Sequence, residues 1–253
     1  MTASHSSHDL GSARTLAECT LHRSAVGRCL ESVASHLSLQ VTRLEKGDYL
    51  VRAGDAFRSL YLLSSGSAKA FRVGRDGREQ VTRFYLAEDL LGLDALDREV
   101  HPTFIRALEY SVAVEVPLRQ LEHMGVDTQS LQRELIRQLA REVEREQVAM
   151  LLLGSTSAEE RIASFLLDLA RRYANRGHSG SEYVLRMTRE DIASYLGVKL
   201  ETVSRGLSRF HRAGVVQVRG RHIQITDRTR LGSFAAWSHA VDGQECQGQR
   251  PAA

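Results

Sequence analysis

Residues 199–210 read KLETVSRGLSRF, a stretch that bears on both the fold and the function of the chain. If it forms a helix, residues three and four positions apart share one face, so Glu201, Ser204 and Arg205 lie side by side while the apolar residues between them point elsewhere. A carboxylate, a hydroxyl and a guanidinium could form an ordinary surface ion pair. They could also be three chemically different probes for a partner outside the protein.

The surrounding sequence is typical of a helix-turn-helix over residues 189–207. Ala193 is small where two helices would cross, and Gly197 permits the tight turn between them. The shared apolar core is expected from Ile192, Leu196, Val198 and Val203. A hairpin with the basic turn Arg219-Gly220-Arg221 follows in VVQVRGRHIQIT, which predicts a winged helix-turn-helix.

The distribution of charge indicates a polyanionic partner. The 253 residues have a net charge of +3, but residues 156–230 hold 14 Lys and Arg against 8 Asp and Glu. A basic C-terminal third favours DNA, with a solvated basic face as the alternative. Arg can bind guanine O6 and N7, and Glu can accept from cytosine N4, so we predict that Glu201, Ser204 and Arg205 read base edges. An intrahelical Glu201–Arg205 pair is the competing interpretation.

The N-terminal half predicts strands. Between about 37 and 118, short apolar runs alternate with glycines, which favours a small β-roll or barrel. The glycines expected at its turns are Gly47, Gly54, Gly66, Gly74, Gly77 and Gly92. The segment RDGR, residues 75–78, predicts a hairpin because Asp-Gly accepts the positive φ of a tight turn. Residues 1–18 are polar and are expected to be disordered.

A long helical pattern runs from about 128 to 153, and a helix of about 26 residues spans roughly 39 Å. Its spacings of three and four residues are typical of two helices packed along their length, although the helix could lie on its own β-roll instead. The predicted homodimer seam is Leu135, Leu139, Val143, Glu146, Met150 and Leu153. Two copies of Glu146 would repel each other unless Arg141 or Arg145 neutralises them, so we expect a weakened dimer.

Several functional classes are disfavoured. The chain has no run of 18 apolar residues, its N-terminus lacks the apolar segment of a secretory signal, and three cysteines are too few for a disulfide framework. We therefore expect a cytoplasmic protein with no membrane partner. Residues 37–118 hold a single histidine, His101, and the chain has no HExxH, Walker or GxSxG motif, so we expect no enzyme activity.

The order of these parts resembles the CRP/FNR superfamily of bacterial transcription regulators, and its FNR branch in particular. The similarity runs from about residue 40 to 230 and rests on RAGD (52–55), LLSSGSAK (62–69), MLLL (150–153), AEERIASFLLDLARR (158–172), MTREDIASYLG (187–197) and ETVSR (201–205). It implies an α+β fold: an N-terminal β-roll like a cyclic-nucleotide-binding domain, a long dimerisation helix and a C-terminal winged helix-turn-helix. The expected boundaries are 1–36 for a flexible or helical arm, 37–126 for the β-roll sensor, 127–154 for the dimerisation helix, 155–232 for the DNA-binding domain and 233–253 for a polar tail.

The resemblance also implies a function. The family binds double-stranded DNA as a homodimer, and its FNR branch reads a palindrome of the type TTGAT-N4-ATCAA and controls anaerobic or redox-related genes. The expected DNA-binding residues are Glu201, Ser204, Arg205, Lys199, Thr202, Arg209, Arg219 and Arg221. The expected contact with RNA polymerase is formed by Arg75, Asp76, Gly77 and Arg78. A cyclic-nucleotide-type regulatory protein that acts on a protein partner remains the alternative.

Lys199 is a departure from the FNR branch, which has Thr at this position. A threonine there could cap the recognition helix, which a lysine cannot do. We expect Lys199 to contact a DNA phosphate instead.

The β-roll lacks the motifs by which members of this superfamily bind cyclic AMP. Cyclic-AMP binders of this superfamily carry G-E-L followed by R-S/T-A, whereas this chain has GLDAL (92–96) and HPTFIRAL (101–108). Leu93 cannot anchor a ribose, and His101, mostly neutral at neutral pH, is a poor phosphate clamp. We therefore expect no cAMP binding.

An FNR-type [4Fe–4S] cluster needs four thiolates, and here the set is incomplete. The chain has only Cys19, Cys29 and Cys246, and Val114 aligns with the β-roll cysteine. We therefore predict no cofactor and no metal, and name Cys19 and Cys29 as the candidate ligands should one bind. A cluster that uses His5, His8 or His22, a cluster that bridges two subunits, and a redox-active Cys19–Cys29 pair remain open alternatives.

Overall fold

The structure is a computed structural model that describes residues 24–34, 37–123 and 129–235. The helices are α1 (Ala25–Val33), α2 (Leu118–His123), α3 (Gln129–Ser155), α4 (Ala158–Ala174), α5 (Arg189–Leu196), α6 (Leu200–Arg212) and α7 (Arg228–Ser233). The strands are β1 (Gln40–Leu44), β2 (Tyr49–Val51), β3 (Ser59–Ser65), β4 (Ser67–Val73), β5 (Glu79–Leu86), β6 (Leu90–Leu91), β7 (Phe104–Ala107), β8 (Ser111–Pro117), β9 (Glu182–Val184), β10 (Val216–Arg219) and β11 (His222–Ile225).

These elements form two compact units. The first comprises the chain up to Arg145 together with the segment Arg186–Tyr195, and the second comprises Glu146–Leu185 and the chain from Leu196 onward. Nearly all of helix α5 therefore belongs to the same unit as the strands β1–β8.

The first unit contains two four-stranded antiparallel sheets, in the orders β1-β8-β3-β6 and β2-β7-β4-β5. Apolar side chains alternate inward along the strands, so Leu60, Leu62 and Val114 are almost completely buried in one core cluster. A second cluster contains Leu63 and Ile105, neither of which has any exposed surface. The predicted β-roll and the α+β fold class are confirmed.

Helix α1 lies in the arm that was expected to be flexible or helical, but its bounds were not predicted. Ser24 caps its N-terminus by accepting a hydrogen bond from Gly27 N at 2.9 Å. Val26 and Leu30 bury one face of the helix in the same cluster as Leu60 and Leu62. Its nine residues give too short a periodic pattern to stand out from the polar sequence before them.

All six predicted glycines lie between strands, and all of them except Gly74 have a positive φ. The hairpin between β4 and β5 is longer than a two-residue turn. Gly77 N donates to Gly74 O at 3.0 Å, and Gly77 alone within residues 74–78 adopts a positive φ. Asp76 contributes a carboxylate that accepts from Arg78 N at 3.2 Å rather than a left-handed backbone.

The second unit packs helices α4, α6 and α7 with a three-stranded sheet in the order β10-β11-β9. Helix α4 begins with a capping box, in which Ser157 and Glu160 each accept from the other's backbone N–H. Helices α4 and α6 approach closely, since a Cβ on Gly206 would lie 2.7 Å from Ile162 Cδ1. No helix in the ranges described is both long enough and apolar enough to cross a lipid bilayer.

We expect Gly66→Ala to destabilise the first unit much more than Gly47→Ala. Both glycines have a positive φ, which costs an alanine about 1–2 kcal/mol. A Cβ at Gly66 would also lie 2.6 Å from Tyr110 O and 2.7 Å from Ser111 Cα, whereas a Cβ at Gly47 meets no atom within 4 Å. Overpacking should bring the total for Gly66→Ala to about 2–5 kcal/mol, measured by urea unfolding. Equal destabilisation of the two variants would contradict this packing.

Candidate nucleic-acid interface

The first helix of the predicted helix-turn-helix, α5, begins at a capping motif. Thr188 Oγ1 accepts from Asp191 N at 3.0 Å, and Asp191 Oδ2 accepts from Thr188 N at 2.9 Å. The chain then turns at Gly197, which has a φ of 62°. In the second unit, Arg161 Nη1 donates to the carbonyl of Leu196 at 2.8 Å and so satisfies an oxygen at the entry to this turn.

Helix α6 separates apolar from polar residues by face. The buried face consists of Val203, Leu207 and Phe210. Glu201 and Arg205 are exposed and Ser204 is half-buried, so the three predicted probes do share a helix face. No ion pair joins Glu201 to Arg205 within the described part of the chain.

The N-terminus of α6 has no side-chain cap. Lys199 occupies the N-cap position with an extended backbone, φ −78° and ψ 151°, and no side-chain hydrogen bond is formed there. The Lys199 side chain is exposed, and the neighbouring Thr202 is half-buried. The helix therefore begins without a capping side chain and with an exposed cation, which suits an anionic partner.

Two of the other predicted DNA-binding arginines lie in the wing, the hairpin of β10 and β11. Arg219 pairs with His222 across the hairpin, Gly220 has a φ of 63°, and both Arg219 and Arg221 are exposed. Arg209 differs from them, because its guanidinium forms an ion pair with Glu159 of α4 at 2.5 Å. Arg209 therefore stabilises the contact between α4 and α6, which the sequence did not reveal.

The loop predicted to contact RNA polymerase is fully exposed. Arg75, Asp76, Gly77 and Arg78 connect β4 to β5. Arg78 Nε lies 3.5 Å from Asp76 Oδ2, with the arginine side chain 89% exposed. Such a surface pair adds little stability, so these charges remain available to a partner.

Leu135, the first residue of the predicted dimer seam, packs within its own chain. It is partly buried against the core cluster of the first unit. The next residue, Ile136, is 65% exposed, and Val143 and Met150 follow at intervals of seven with 53% and 72% exposed. A seven-residue interval keeps three residues on one helix face. Ile136, Val143 and Met150 therefore form one exposed apolar face of α3.

The other seam residues are consistent with this face. Leu139 is half-buried and Glu146 is exposed, while the side chain of Leu153 lies outside what the structure describes. The arginines considered as partners of Glu146 are engaged elsewhere. Arg141 pairs with Glu134 at 3.7 Å, and Arg145 pairs with Glu142 at 3.9 Å.

His101 and Leu93, at the positions where cyclic-AMP binders contact their ligand, pack against other side chains of this protein. His101 is only 2% exposed, and its ring meets the Phe57 ring edge-on at 5.2 Å between centroids. Its backbone accepts from Gly54 N and donates to Asp55 O, both at 2.9 Å, which anchors it to the RAGD turn. Leu93 packs against the core cluster of the first sheet.

The His101 side chain is also polar and unsatisfied. Nδ1 has no hydrogen-bond partner among the residues that the structure describes. Burial lowers the pKa of His101, and the nearby carboxylates of Asp94 and Asp55 oppose this only in part. A neutral, buried imidazole cannot clamp a phosphate.

Cys29 and Val114 are the two positions of the cysteine comparison that lie in the described residues. Cys29 is a free, half-buried thiol in α1. Val114 is fully buried in β8, between Val41 of β1 and Leu62 of β3. Cys19, Cys246, His5, His8 and His22 lie outside the described residues, as do the predicted arm up to 23 and the tail from 236. Within the described ranges, no group of three or more metal-ligating side chains comes together.

Two protein-family profiles match the chain. The "Crp-like helix-turn-helix domain" matches residues 160–234, and the "Cyclic nucleotide-binding domain" matches residues 41–125. The chain is 40% identical over 198 residues to the fumarate and nitrate reduction regulatory protein of Escherichia coli K12, which covers 78% of this chain and 79% of that protein. Its counterpart in Vibrio cholerae is 40% identical over 195 residues, with 77% and 78% covered.

Solved structures show the same architecture. FixK2 from Bradyrhizobium japonicum matches with a TM-score of 0.71 and 32% identity, over 78% of this chain and 98% of that one. A CooA mutant from Carboxydothermus hydrogenoformans matches with a TM-score of 0.64 and 20% identity, over 80% and 89% of the two chains, and shows the fold alone.

The burial of His101 predicts a pH effect on stability. Because the pKa of His101 is lowered in the folded state, the unfolded chain binds a proton near pH 6.5 that the native chain does not. The free energy of unfolding should therefore fall as the pH drops below about 6.5, by at most about 1.4 kcal/mol per pH unit for this one group. His101→Phe keeps the ring and should lose less stability than the wild type between pH 7.5 and 5.5 in urea unfolding. An equal loss in both proteins would contradict the assignment.

Proposed function

The chain belongs to the CRP/FNR family of transcription regulators, and we propose that it binds a palindromic DNA sequence as a homodimer, with α6 as the recognition helix. The observation that carries this proposal is the exposed face of α6, where Glu201 and Arg205 point to solvent without pairing with each other. A buried apolar face on the same helix fixes their direction.

In a helix-turn-helix, the second helix enters the major groove and its N-terminal residues contact base edges. Arg205 is suited to a bidentate contact with guanine O6 and N7, and Glu201 can accept from cytosine N4. Ser204, between them on the same face, adds a shorter and less selective contact. A palindrome of the type TTGAT-N4-ATCAA supplies these bases twice, as a two-fold dimer requires.

Phosphate contacts would set the register on the duplex. Lys199 stands at the uncapped N-terminus of α6, and Arg219 and Arg221 stand at the wing turn, so cations flank the reading face along the chain. Thr202 can add a hydroxyl contact. Arg209 is less suited to a phosphate contact than the other three residues, because its guanidinium is already paired with Glu159.

Dimerisation would use the exposed face of α3 that carries Ile136, Val143 and Met150. Apolar side chains that are more than half exposed on a 27-residue helix favour burial against a second copy. Glu146 lies three residues after Val143 on the same face and would limit the strength of that contact.

Target genes, the contact with RNA polymerase and the effector are the remaining parts of the proposal. By similarity to regulators named for fumarate and nitrate reduction, we propose target genes of anaerobic or redox metabolism. The exposed loop of Arg75–Arg78 is the surface that we propose for RNA polymerase. We expect no cAMP effector, since Leu93 and the buried His101 leave neither a ribose anchor nor a phosphate clamp.

The DNA contacts are tested by comparing two substitutions. Arg205→Ala should weaken binding to a TTGAT-N4-ATCAA duplex by about 1–3 kcal/mol per half-site while changing binding to a scrambled duplex little, because it removes a base contact. Lys199→Thr should weaken binding to both duplexes at low salt. It should also reduce the slope of log K against log salt by about 1 per subunit, because it removes a phosphate contact.

Fluorescence anisotropy over a salt series measures both effects. Lys46→Thr is a matched control, since Lys46 is an exposed lysine of the β-roll far along the chain from α6. The readout roles would be wrong if Arg205→Ala weakened binding to both duplexes equally, or if Lys199→Thr left the salt slope unchanged.

Glu146→Ala should tighten dimerisation and DNA binding together. The substitution removes two like charges that would otherwise be desolvated against each other in the dimer. Sedimentation equilibrium gives the dimer constant, and Glu144→Ala is the control because it changes an exposed carboxylate two residues away on a different face. An unchanged dimer constant for Glu146→Ala would mean that Glu146 lies outside the interface.

A further inference from the structure

Helix α5 is attached to the β-sheet of the first unit by a set of charges centred on the buried Lys69 and Asp191. Lys69 of β4 is only 4% exposed, and its Nζ lies 2.6 Å from Asp191 Oδ1 of α5 and 2.8 Å from Glu79 Oε2 of β5. Arg106 of β7 contacts the same Glu79 oxygen at 2.7 Å. Two cations and two carboxylates thus form one balanced group, which we call the Lys69 cluster.

The Lys69 cluster is well satisfied. Asp191 has its second oxygen occupied by the backbone N–H and hydroxyl of Thr188, at 2.9 and 2.8 Å. Burial raises the pKa of Asp191, but the hydrogen bonds from Lys69 and Thr188 outweigh it and hold this pKa below its usual range. Asp191 therefore stays ionised, and Lys69 also lies over the face of Phe71 at 5.1 Å.

Other contacts from the same segment reinforce this attachment. Strand β5 is at one edge of the sheet, and the Ser194 hydroxyl of α5 bonds two of its backbone groups. Ser194 Oγ accepts from Val81 N at 2.8 Å and donates to Glu79 O at 2.9 Å. The rings of Phe84 and Tyr195 lie 5.2 Å apart. Arg186, just before α5, pairs with Glu109 at 3.2 Å.

We propose that Lys69 is a positioning residue for DNA binding, which acts by holding α5 on the β-sheet through Asp191. Only Gly197, Val198 and Lys199 separate α5 from α6 along the chain, so a change in α5 can be passed to the start of α6 through three residues. Glu201 and Arg205 of α6 are exposed, as a contact with DNA requires.

The physical consequence of losing Lys69 follows from the cluster's charges. Without its ammonium group, Asp191 would remain buried near Glu79 with no cation between them, and a buried unpaired carboxylate is strongly unfavourable. Asp191 should then leave the sheet and take α5 with it. Apparent DNA affinity falls in proportion to the fraction of molecules that remain competent, so we expect a loss of about three- to ten-fold.

This inference rests on the proposed DNA binding, and the experiment separates the two. Lys69→Met keeps the length of the side chain and removes only its charge. Hydrogen exchange of residues 189–196 in the DNA-free protein should become faster in Lys69→Met, while exchange in β3 and β8 should not change. Lys46→Met is the matched control, since it makes the same chemical change at an exposed lysine of the same unit and should leave α5 exchange as in the wild type.

DNA binding is then measured on the full-length variants. Lys69→Met should weaken binding to palindromic and scrambled duplexes by the same factor and leave the salt slope unchanged, because Lys69 contacts no phosphate. Lys69→Arg should restore most of the affinity. Asp191→Asn keeps an acceptor for the Thr188 cap and should reproduce the Lys69→Met loss, and the double variant should be no weaker than either single one.

Three results would overturn the proposal: α5 exchange at the wild-type rate in Lys69→Met, unchanged affinity for both duplexes, or a reduced salt slope, which would make Lys69 a direct phosphate contact. If the wild type itself binds neither duplex, the proposed function fails. The exchange of α5 would still decide whether Lys69 holds that helix.

Discussion

The burial of one apolar stripe on α6 determines what this helix presents to solvent. Val203, Leu207 and Phe210 have at most 2% of their surface exposed, and together they fix the rotation of the helix. Once that rotation is fixed, Glu201 and Arg205 must face outward, since they lie on the opposite side of a 3.6-residue turn. The direction of the polar side chains on α6 thus depends on the burial of its apolar side chains.

Much of this could be predicted from the sequence, because the responsible signals are local. The capping box at Ser157 and Glu160, the turn at Gly197 and the left-handed glycines of the β-roll each depend on a few neighbouring residues. The reading face of α6 follows from periodicity alone. Local chemistry and the final fold agree at these positions, as expected for a sequence that specifies one structure.

The contacts that could not be predicted join residues that are distant in sequence. Leu135 fits the spacing of a dimer seam as well as Ile136 does, and only the position of α3 against the β-roll core decides between them. Arg209 looks like one more basic residue near DNA until Glu159, fifty residues earlier, is found beside it. The ion pair of Lys69 could not be predicted either, because its partner Asp191 is 122 positions away. Periodicity carries no information on such pairs.

The face of α3 that carries Ile136, Val143 and Met150 has a consequence for how the protein would respond to its own abundance. If that face is covered only by a second copy, the active species forms in proportion to the square of the monomer concentration while monomers predominate. Occupancy of a DNA site would then rise more steeply than protein level. A modest change in synthesis or degradation could act as a signal, without any ligand in the β-roll.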